Sequence, residues 1–133
     1  VLAAQACGAD LAYIGSAFIA TAEANADPAY KDGIVAGRAS DIVYSNLFTG
    51  VHGNYLRQSI EAAGLDPDNL PDGDYKTMNF GGGENQSKKA WRDIWGSGQG
   101  IGAVTAVETV ADRVDRLEAE YRQAIAELNA KVR

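Results

Sequence analysis

The chain has 133 residues and a formal net charge of −6, with 46% hydrophobic and 23% charged residues. This acidic balance argues against nucleic acid or an anionic membrane as a partner, and no apolar run approaches the ~18 residues that a membrane span requires. The single cysteine, Cys7, excludes an internal disulfide and favours a reducing cytoplasm. The single histidine, His52, excludes a metal site built from several histidines, so we expect no metal.

The chain opens with Val1 rather than Met, and residues 1–8 are typical of the last two turns of a helix whose start is absent. Gly8 stands at the position where this helix stops. Further along the chain, only two segments make convincing strands, which is too few for a sheet built from parallel βα units. We therefore interpret the chain as the C-terminal piece of a larger α/β protein.

The first strand candidate is the apolar run 11–14, which predicts a buried parallel strand ending at Gly15 and Ser16. Glycine permits a tight turn there and lets backbone N–H groups approach an anion, and the Ser16 hydroxyl can donate to a phosphate oxygen. Strands that end in this way at the rim of an α/β sheet bind the phosphate groups of cofactors. Gly-Ser is also an ordinary turn, so the motif is not specific by itself.

The middle of the chain is predicted from helix caps, β-branched runs and glycine or proline stops. We expect a helix from 28 to about 35 capped by Asp27, a strand over 41–45, a helix over 54–63 stopped by Gly64, an irregular loop over 66–83, and a helix over 86–95. The last of these places Trp91 and Trp95 on one face, where packing is favoured over stacking on a flavin.

Four glycines lie within residues 96–102, just before the longest predicted helix. The segment fits an anion-binding nest at a helix N-terminus, and it fits a plain hinge between helices about as well. The helix itself carries an apolar stripe and i,i+4 ion pairs such as Asp112–Arg116 and Glu118–Arg122. We expect the stripe to pack against the rest of the protein rather than to form a coiled coil. It consists of Val104, Val107, Val110, Val114, Leu117, Tyr121, Ile125, Leu128 and Val132.

Four segments follow one another over nearly the whole chain: GADLAYIGSAF, ATAEANADPAYKDGI, a TG turn with NYLRQSIEAAGLDPDNLP, and WGSGQGIGAV before the last helix. Together they resemble the nitronate monooxygenase (2-nitropropane dioxygenase) family. The resemblance implies an α/β fold, the C-terminal portion of an FMN-binding TIM-type (β/α)8 barrel with a helical insertion, helix-rich as an isolated piece. It divides one partial domain, 1–133, into a last barrel βα region (1–50), a helical and loop insertion with the glycine-rich loop (51–103), and a C-terminal amphipathic helix (104–133).

The resemblance also assigns residues to the cofactor. The family's Q-x-G-T motif, whose backbone and hydroxyl hold the FMN phosphate, is matched here by Tyr13, Ile14, Gly15 and Ser16. Ser16 keeps the hydroxyl of the family's threonine. Tyr13 replaces the glutamine, so only the backbone contacts of that position carry over. The segment Gly98-Gln99-Gly100 matches the family's late glycine loop near the flavin.

The resemblance assigns no catalytic residue to this chain. The family's catalytic base is a histidine on an earlier strand, which His52 does not match. We therefore expect the catalytic residues upstream of Val1, and no activity from the chain alone.

Three functions remain open at this point. The first is oxidation of alkyl nitronates by FMN and O₂, with a nitronate and O₂ as the small-molecule partners. The second is another FMN oxidoreductase on the same barrel, such as a flavin-type enoyl-ACP reductase. The third is a non-enzymatic α/β interaction module, whose glycine loops are turns and whose terminal stripe binds a partner helix. The oligomeric state is not indicated by the sequence.

Overall fold

The computed structural model describes residues 1–73 and 93–132. The helices in these residues are α1 (Leu2–Ala6), α2 (Ser16–Ile19), α3 (Pro28–Ala36), α4 (Arg57–Ala62) and α5 (Val110–Lys131). The strands are β1 (Ile42–Ser45) and β2 (Gly53–Leu56), and short 3₁₀-helices cover Ala39–Asp41 and Gln99–Ala103. The described residues thus combine helices and strands, which confirms the α/β prediction at this level.

The two strands form an antiparallel hairpin in which Ile42 pairs with Leu56 and Ser45 with Gly53. The segment 95–97 pairs with the other edge of β2, where Leu56 N–H donates to the Trp95 carbonyl at 2.8 Å. The predicted strand over 41–45 is confirmed from Ile42 onwards, whereas Asp41 belongs to the preceding 3₁₀-helix. The predicted helix start at 54 is wrong, since pairing on both sides holds 53–56 extended and α4 begins only at Arg57.

The predicted buried strand over 11–14 is wrong. Leu11 is 88% exposed and Tyr13 is fully exposed, and this segment has no strand assignment. A strand requires a neighbouring strand to satisfy its backbone N–H and C=O groups. Within the described residues no strand pairs with 11–14, so the apolar pattern alone does not produce one.

The main core lies where α3, β2 and the 3₁₀-helix Gln99–Ala103 meet. Its buried residues are Ala20, Ile34, Leu56, Ile101 and Val104, and a smaller cluster contains Tyr55, Ile60 and Ile94. The end of α3 approaches this 3₁₀-helix closely because the residue that follows the helix is Gly37. A Cβ at Gly37 would lie 2.7 Å from Ile101 Cδ1 and 2.8 Å from the Gly33 carbonyl oxygen.

Local signals in the sequence predict the start of α3 and the glycines that follow α1 and α4. The Asp27 side chain accepts from Ala29 N–H at 2.8 Å and Pro28 is the first helical residue, as predicted. The helix runs to Ala36, one residue beyond the predicted end. Gly8 and Gly64 follow α1 and α4 with φ of 93° and 79°, a conformation that glycine adopts without strain.

The terminal helix α5 begins at Val110 rather than at 104. Thr109 caps it, because its hydroxyl accepts from Asp112 N–H at 3.1 Å, and the Glu23 carboxylate accepts from Val110 N–H at 3.0 Å. Val104, the first residue of the predicted stripe, is buried in the core instead. Val110, Val114, Leu128 and Val132 remain exposed on the helix.

Most of the predicted helix over 86–95 and of the loop over 66–83 lies outside the described residues, as does Trp91. Trp95 is described and lies outside any helix. Its ring stacks on Tyr30, with ring centroids 4.9 Å apart. The interpretation of Trp91 and Trp95 as neighbours on one helical face therefore does not hold for Trp95.

The pH dependence of one surface contact can be predicted. Arg57 on α4 makes a two-pronged contact with the Asp68 carboxylate at 2.9 and 2.6 Å, and these hydrogen bonds lower the pKa of Asp68 below its ordinary value. Because the pKa of Asp68 is lower in the folded than in the unfolded chain, the contact stabilises the folded chain at pH values above the unfolded pKa of about 4. This stabilisation is lost as the pH falls through the folded-state pKa. We expect Asp68→Asn to remove this part of the acid dependence of the melting temperature. If the melting temperature of Asp68→Asn falls at acid pH in the same way as that of the unmodified chain, the Arg57–Asp68 contact is not the source of this pH dependence.

Candidate functional site

Two segments that the sequence marks separately meet in the structure. The Ser16 hydroxyl oxygen accepts a hydrogen bond from Gly98 N–H at 2.9 Å, across 82 positions of the chain. Ser16 opens α2 and Gly98 precedes the 3₁₀-helix Gln99–Ala103, whose Ile101 is anchored in the core. The core therefore determines the distance between the two segments.

A cleft of about 520 Å³ opens beside this contact. Most of the residues that the sequence assigns to a cofactor line it, namely Tyr13, Ile14, Gly15, Ser16, Gly98 and Gly100. Gln99 is exposed and is not part of the lining. The volume is within the range typical of small-molecule sites.

The backbone around Gly15 carries donors that make no hydrogen bond within the described residues. Within residues 1–73 and 93–132, neither Gly15 N–H nor Ser16 N–H donates a backbone hydrogen bond. The nearest atom to a Cβ placed on Gly15 is Tyr13 Cε1 at 3.9 Å, and nothing lies within 4 Å of one placed on Gly100. These amides were predicted at the mouth of a strand, which is wrong; they lie instead in the turn that enters α2.

Two arginines on α5 form a charged wall of the cleft, which the sequence did not indicate. Arg113 Nε lies 2.6 Å from Glu108 Oε1, and Arg116 Nη2 contacts Glu108 Oε2. The predicted Asp112–Arg116 pair is wrong, since Asp112 bonds to Thr109 and Arg116 to Glu108. Two features of the sequence could have indicated this contact. Arg113 and Arg116 are three residues apart on one helix, and Glu108 lies in the extended segment just before that helix.

Glu108 reaches this position because its segment pairs with a distant one. Thr21 and Glu108 form a parallel β-bridge, and Ala22 N–H donates to the Glu108 carbonyl at 2.9 Å. The Glu108 side chain is 12% exposed and that of Arg113 4%. The ion pair is therefore largely shielded from water and from salt, so that removing one partner would leave a charge buried without its counter-charge.

A second pocket of about 350 Å³ lies on another part of the surface, between Tyr30, Tyr55 and Trp95. The Tyr30 hydroxyl donates to the Gly96 carbonyl, and burial raises the pKa of Tyr30. Phe48 meets Tyr55 edge-on, with ring centroids 4.8 Å apart. None of the predicted cofactor residues lines this pocket.

His52 does not line the cleft. It lies exposed beside the hairpin, with its ring stacked on Tyr44 at a centroid distance of 4.7 Å. In the part of the chain that the structure describes, no three His, Cys, Asp or Glu side chains are grouped as metal ligands. In the same residues, no helix is both long enough and apolar enough to cross a membrane.

Val1, before which the catalytic residues are expected, also lies outside the cleft. It is 49% exposed, immediately before α1, and does not appear among the residues that line the site. With Leu2 it borders an adjoining pocket of about 300 Å³ against Leu117 and Tyr121 of α5, which shares Leu117 with the cleft. The start of the chain therefore contributes no residue to the cleft, and a catalytic base upstream of Val1 stays a prediction.

No protein-family model matches the chain, and no curated protein matches it. Among solved structures the chain is similar to a mutant of FabK from Thermotoga maritima, with a TM-score of 0.64 and 21% sequence identity. The similarity covers 96% of this chain and 38% of the FabK chain, so the chain spans well under half the length of that protein. At this identity the likeness concerns the fold.

Proposed function

We propose that this chain is the phosphate-binding part of an FMN-dependent oxidoreductase built on a TIM-type barrel. The observation that carries the proposal is the Ser16–Gly98 hydrogen bond. It joins, in one cleft, the two motifs that resemble the FMN-binding segments of the nitronate monooxygenase family. The fold likeness to FabK supports a flavin-dependent oxidoreductase on a barrel of this kind.

The described residues fit the phosphate of FMN in three respects. Gly15 and Ser16 carry N–H groups that donate to no backbone acceptor in the described ranges, and such donors in a turn favour an anion. Gly15 and Gly100 leave the space that a ligand needs to approach the backbone. The cleft itself is large enough for part of a cofactor.

In this proposal the chain binds and orients the cofactor. The N–H groups of Gly15 and Ser16, with the Ser16 hydroxyl hydrogen, donate to phosphate oxygens, while the Ser16 oxygen continues to accept from Gly98. The flavin supplies the electron transfer when it is bound. His52 does not line the cleft and is not proposed as the proton-abstracting base, which the resemblance assigns to a histidine on an earlier strand of the family's barrel.

For the reaction itself, we propose oxidation of alkyl nitronates with O₂, which the resemblance to the nitronate monooxygenase family supports. The fold likeness to FabK supports a flavin-type enoyl-ACP reductase about as well. In the protein that contains this chain, nitronate-dependent O₂ uptake favours the first reaction, and NAD(P)H oxidation with an enoyl thioester favours the second. Absence of flavin absorbance in that purified protein would favour a non-enzymatic interaction module.

A substitution at Gly15 tests the phosphate site. We expect Gly15→Val to weaken FMN binding roughly ten- to hundredfold, because a branched side chain there blocks access to charge-assisted backbone donors. Flavin fluorescence titration of the protein that contains this chain measures the affinity. Gly102→Val is the matched control, since Gly102 also has open space at its Cβ but does not line the cleft. Equal FMN affinity in both variants would contradict the site.

A further inference from the structure

We infer that Arg116 is an anion-binding residue of the cleft, where its guanidinium contacts a phosphomonoester group. Arg113 and Glu108 hold it in position. The inference rests on the proposed function in that the phosphomonoester is the FMN phosphate. It adds a cationic side chain to a site that otherwise consists of backbone donors and the Ser16 hydroxyl.

The charges around Glu108 do not balance. Two guanidinium groups, each +1, share the Glu108 carboxylate of −1, an excess of +1 at this contact before the exposed Glu120 carboxylate of the same cleft is counted. Arg113 is 3% exposed, lies 2.6 Å from Glu108 without forming a hydrogen bond to it, and donates to the Ala106 carbonyl at 3.3 Å, whereas Arg116 donates to Glu108 Oε2. Glu108 therefore positions Arg116 through one of its nitrogens, and the remaining N–H groups of this guanidinium are available to another anion.

Arg116 is the arginine that a ligand can reach. Its side chain is 34% exposed, and it lines the cleft together with Gly15 and Ser16. One of its nitrogens contacts Glu108, and another lies 3.5 Å from the Thr105 hydroxyl, a long contact. A guanidinium has five N–H donors in a planar fork, so several remain for two phosphate oxygens.

The other charged side chain in the lining is Glu120, one helical turn beyond Arg116. Its carboxylate is exposed and opposes an anion in the cleft. The two side chains therefore predict effects of opposite sign. Removing the charge of Arg116 should weaken the binding of a phosphate, and removing the charge of Glu120 should strengthen it.

The test measures the binding of inorganic phosphate, FMN and riboflavin to the 133-residue chain by NMR titration. We expect Arg116→Gln to weaken phosphate and FMN binding about tenfold or more, the loss typical of a charge-assisted hydrogen bond. Riboflavin, which has no phosphate, should be unaffected by the substitution. Glu120→Gln should strengthen phosphate and FMN binding, and Arg116→Lys should restore part of the affinity as a point charge.

Arg122→Gln is the control for general loss of positive charge on α5, since Arg122 pairs with Glu118 on the exposed side of the helix and does not line the cleft. Unchanged phosphate affinity in Arg116→Gln, an equal loss in Arg122→Gln, or no phosphate binding by the unmodified chain would each overturn the inference. An equal loss of riboflavin binding would also overturn it, because it would indicate a general change of the cleft. If Arg116→Gln abolishes phosphate binding while FMN binds neither the unmodified chain nor the protein that contains it, Arg116 is an anion-binding residue and the assignment of the anion to FMN, with the proposed function, is wrong.

Discussion

Replacing Glu108 with glutamine is expected to lower the free energy of unfolding by about 3–5 kcal/mol, the cost typical of breaking a buried ion pair from one side. The substitution keeps the shape of the side chain and removes its charge. Arg113, which is almost fully buried, would then lack a carboxylate partner at 2.6 Å, and Arg116 would lose its contact as well. Urea denaturation followed by circular dichroism measures the change.

Glu118→Gln is the matched control, because Glu118 also pairs with an arginine on α5 but both side chains are more than half exposed. An exposed pair of this kind contributes about 0.3–0.5 kcal/mol, so the control should unfold almost as the unmodified chain does. A loss below about 1 kcal/mol in Glu108→Gln would show that Arg113 finds other partners or water. In that case the Glu108–Arg113 contact does not hold α5 against the segment around Thr21.

Elements that depend on neighbouring residues could be predicted from the sequence. The start of α3 follows from Asp27 and Pro28, since the cap and the first helical position are adjacent. The stops at Gly8 and Gly64 follow from the left-handed backbone that ends a helix, which glycine favours. Each of these signals acts over a few residues, and no distant contact overrides it.

Elements that depend on distant partners could not be predicted. Residues 53–56 were predicted to lie largely in a helix, yet β1 on one side and the segment 95–97 on the other make them a strand. Residues 11–14 have the pattern of a buried strand but no strand beside them in the described residues. The start of α5 moves to Val110 because Val104 is drawn into the core and Glu23 and Thr109 cap the helix.

The candidate site was predicted in pieces. The glycine motifs at Gly15 and Gly98 were each identified from the sequence, but their contact across the chain follows only from the packing between α2, α3 and the 3₁₀-helix. The arginines were missed for a different reason. The i,i+4 rule paired Arg116 with Asp112 within the helix, whereas the β-bridge at Glu108 brings a competing carboxylate from outside it.

Replacing Ile101 with alanine should disturb both the stability and the cleft. Ile101 is fully buried and lies in the centre of the 3₁₀-helix that follows Gly98. Removing its side chain leaves a cavity next to Gly37 and Leu56, for which the expected loss is about 2–5 kcal/mol. Because the same side chain anchors the glycine loop, we also expect the Ser16–Gly98 hydrogen bond to weaken. Amide hydrogen exchange at Gly98 measures this local effect.

Val107→Ala is the control, since Val107 lies six residues further on and is 42% exposed. A truncation on the surface should change the free energy of unfolding by no more than about 0.5 kcal/mol. The informative comparison is between exchange at Gly98 and exchange at Ala29, whose N–H donates to the Asp27 cap at the start of α3. If Ile101→Ala accelerates exchange at both amides equally, the side chain stabilises the whole domain. If Gly98 exchanges faster than Ala29, Ile101 positions the loop, and the geometry of the cleft depends directly on how α3 and β2 pack.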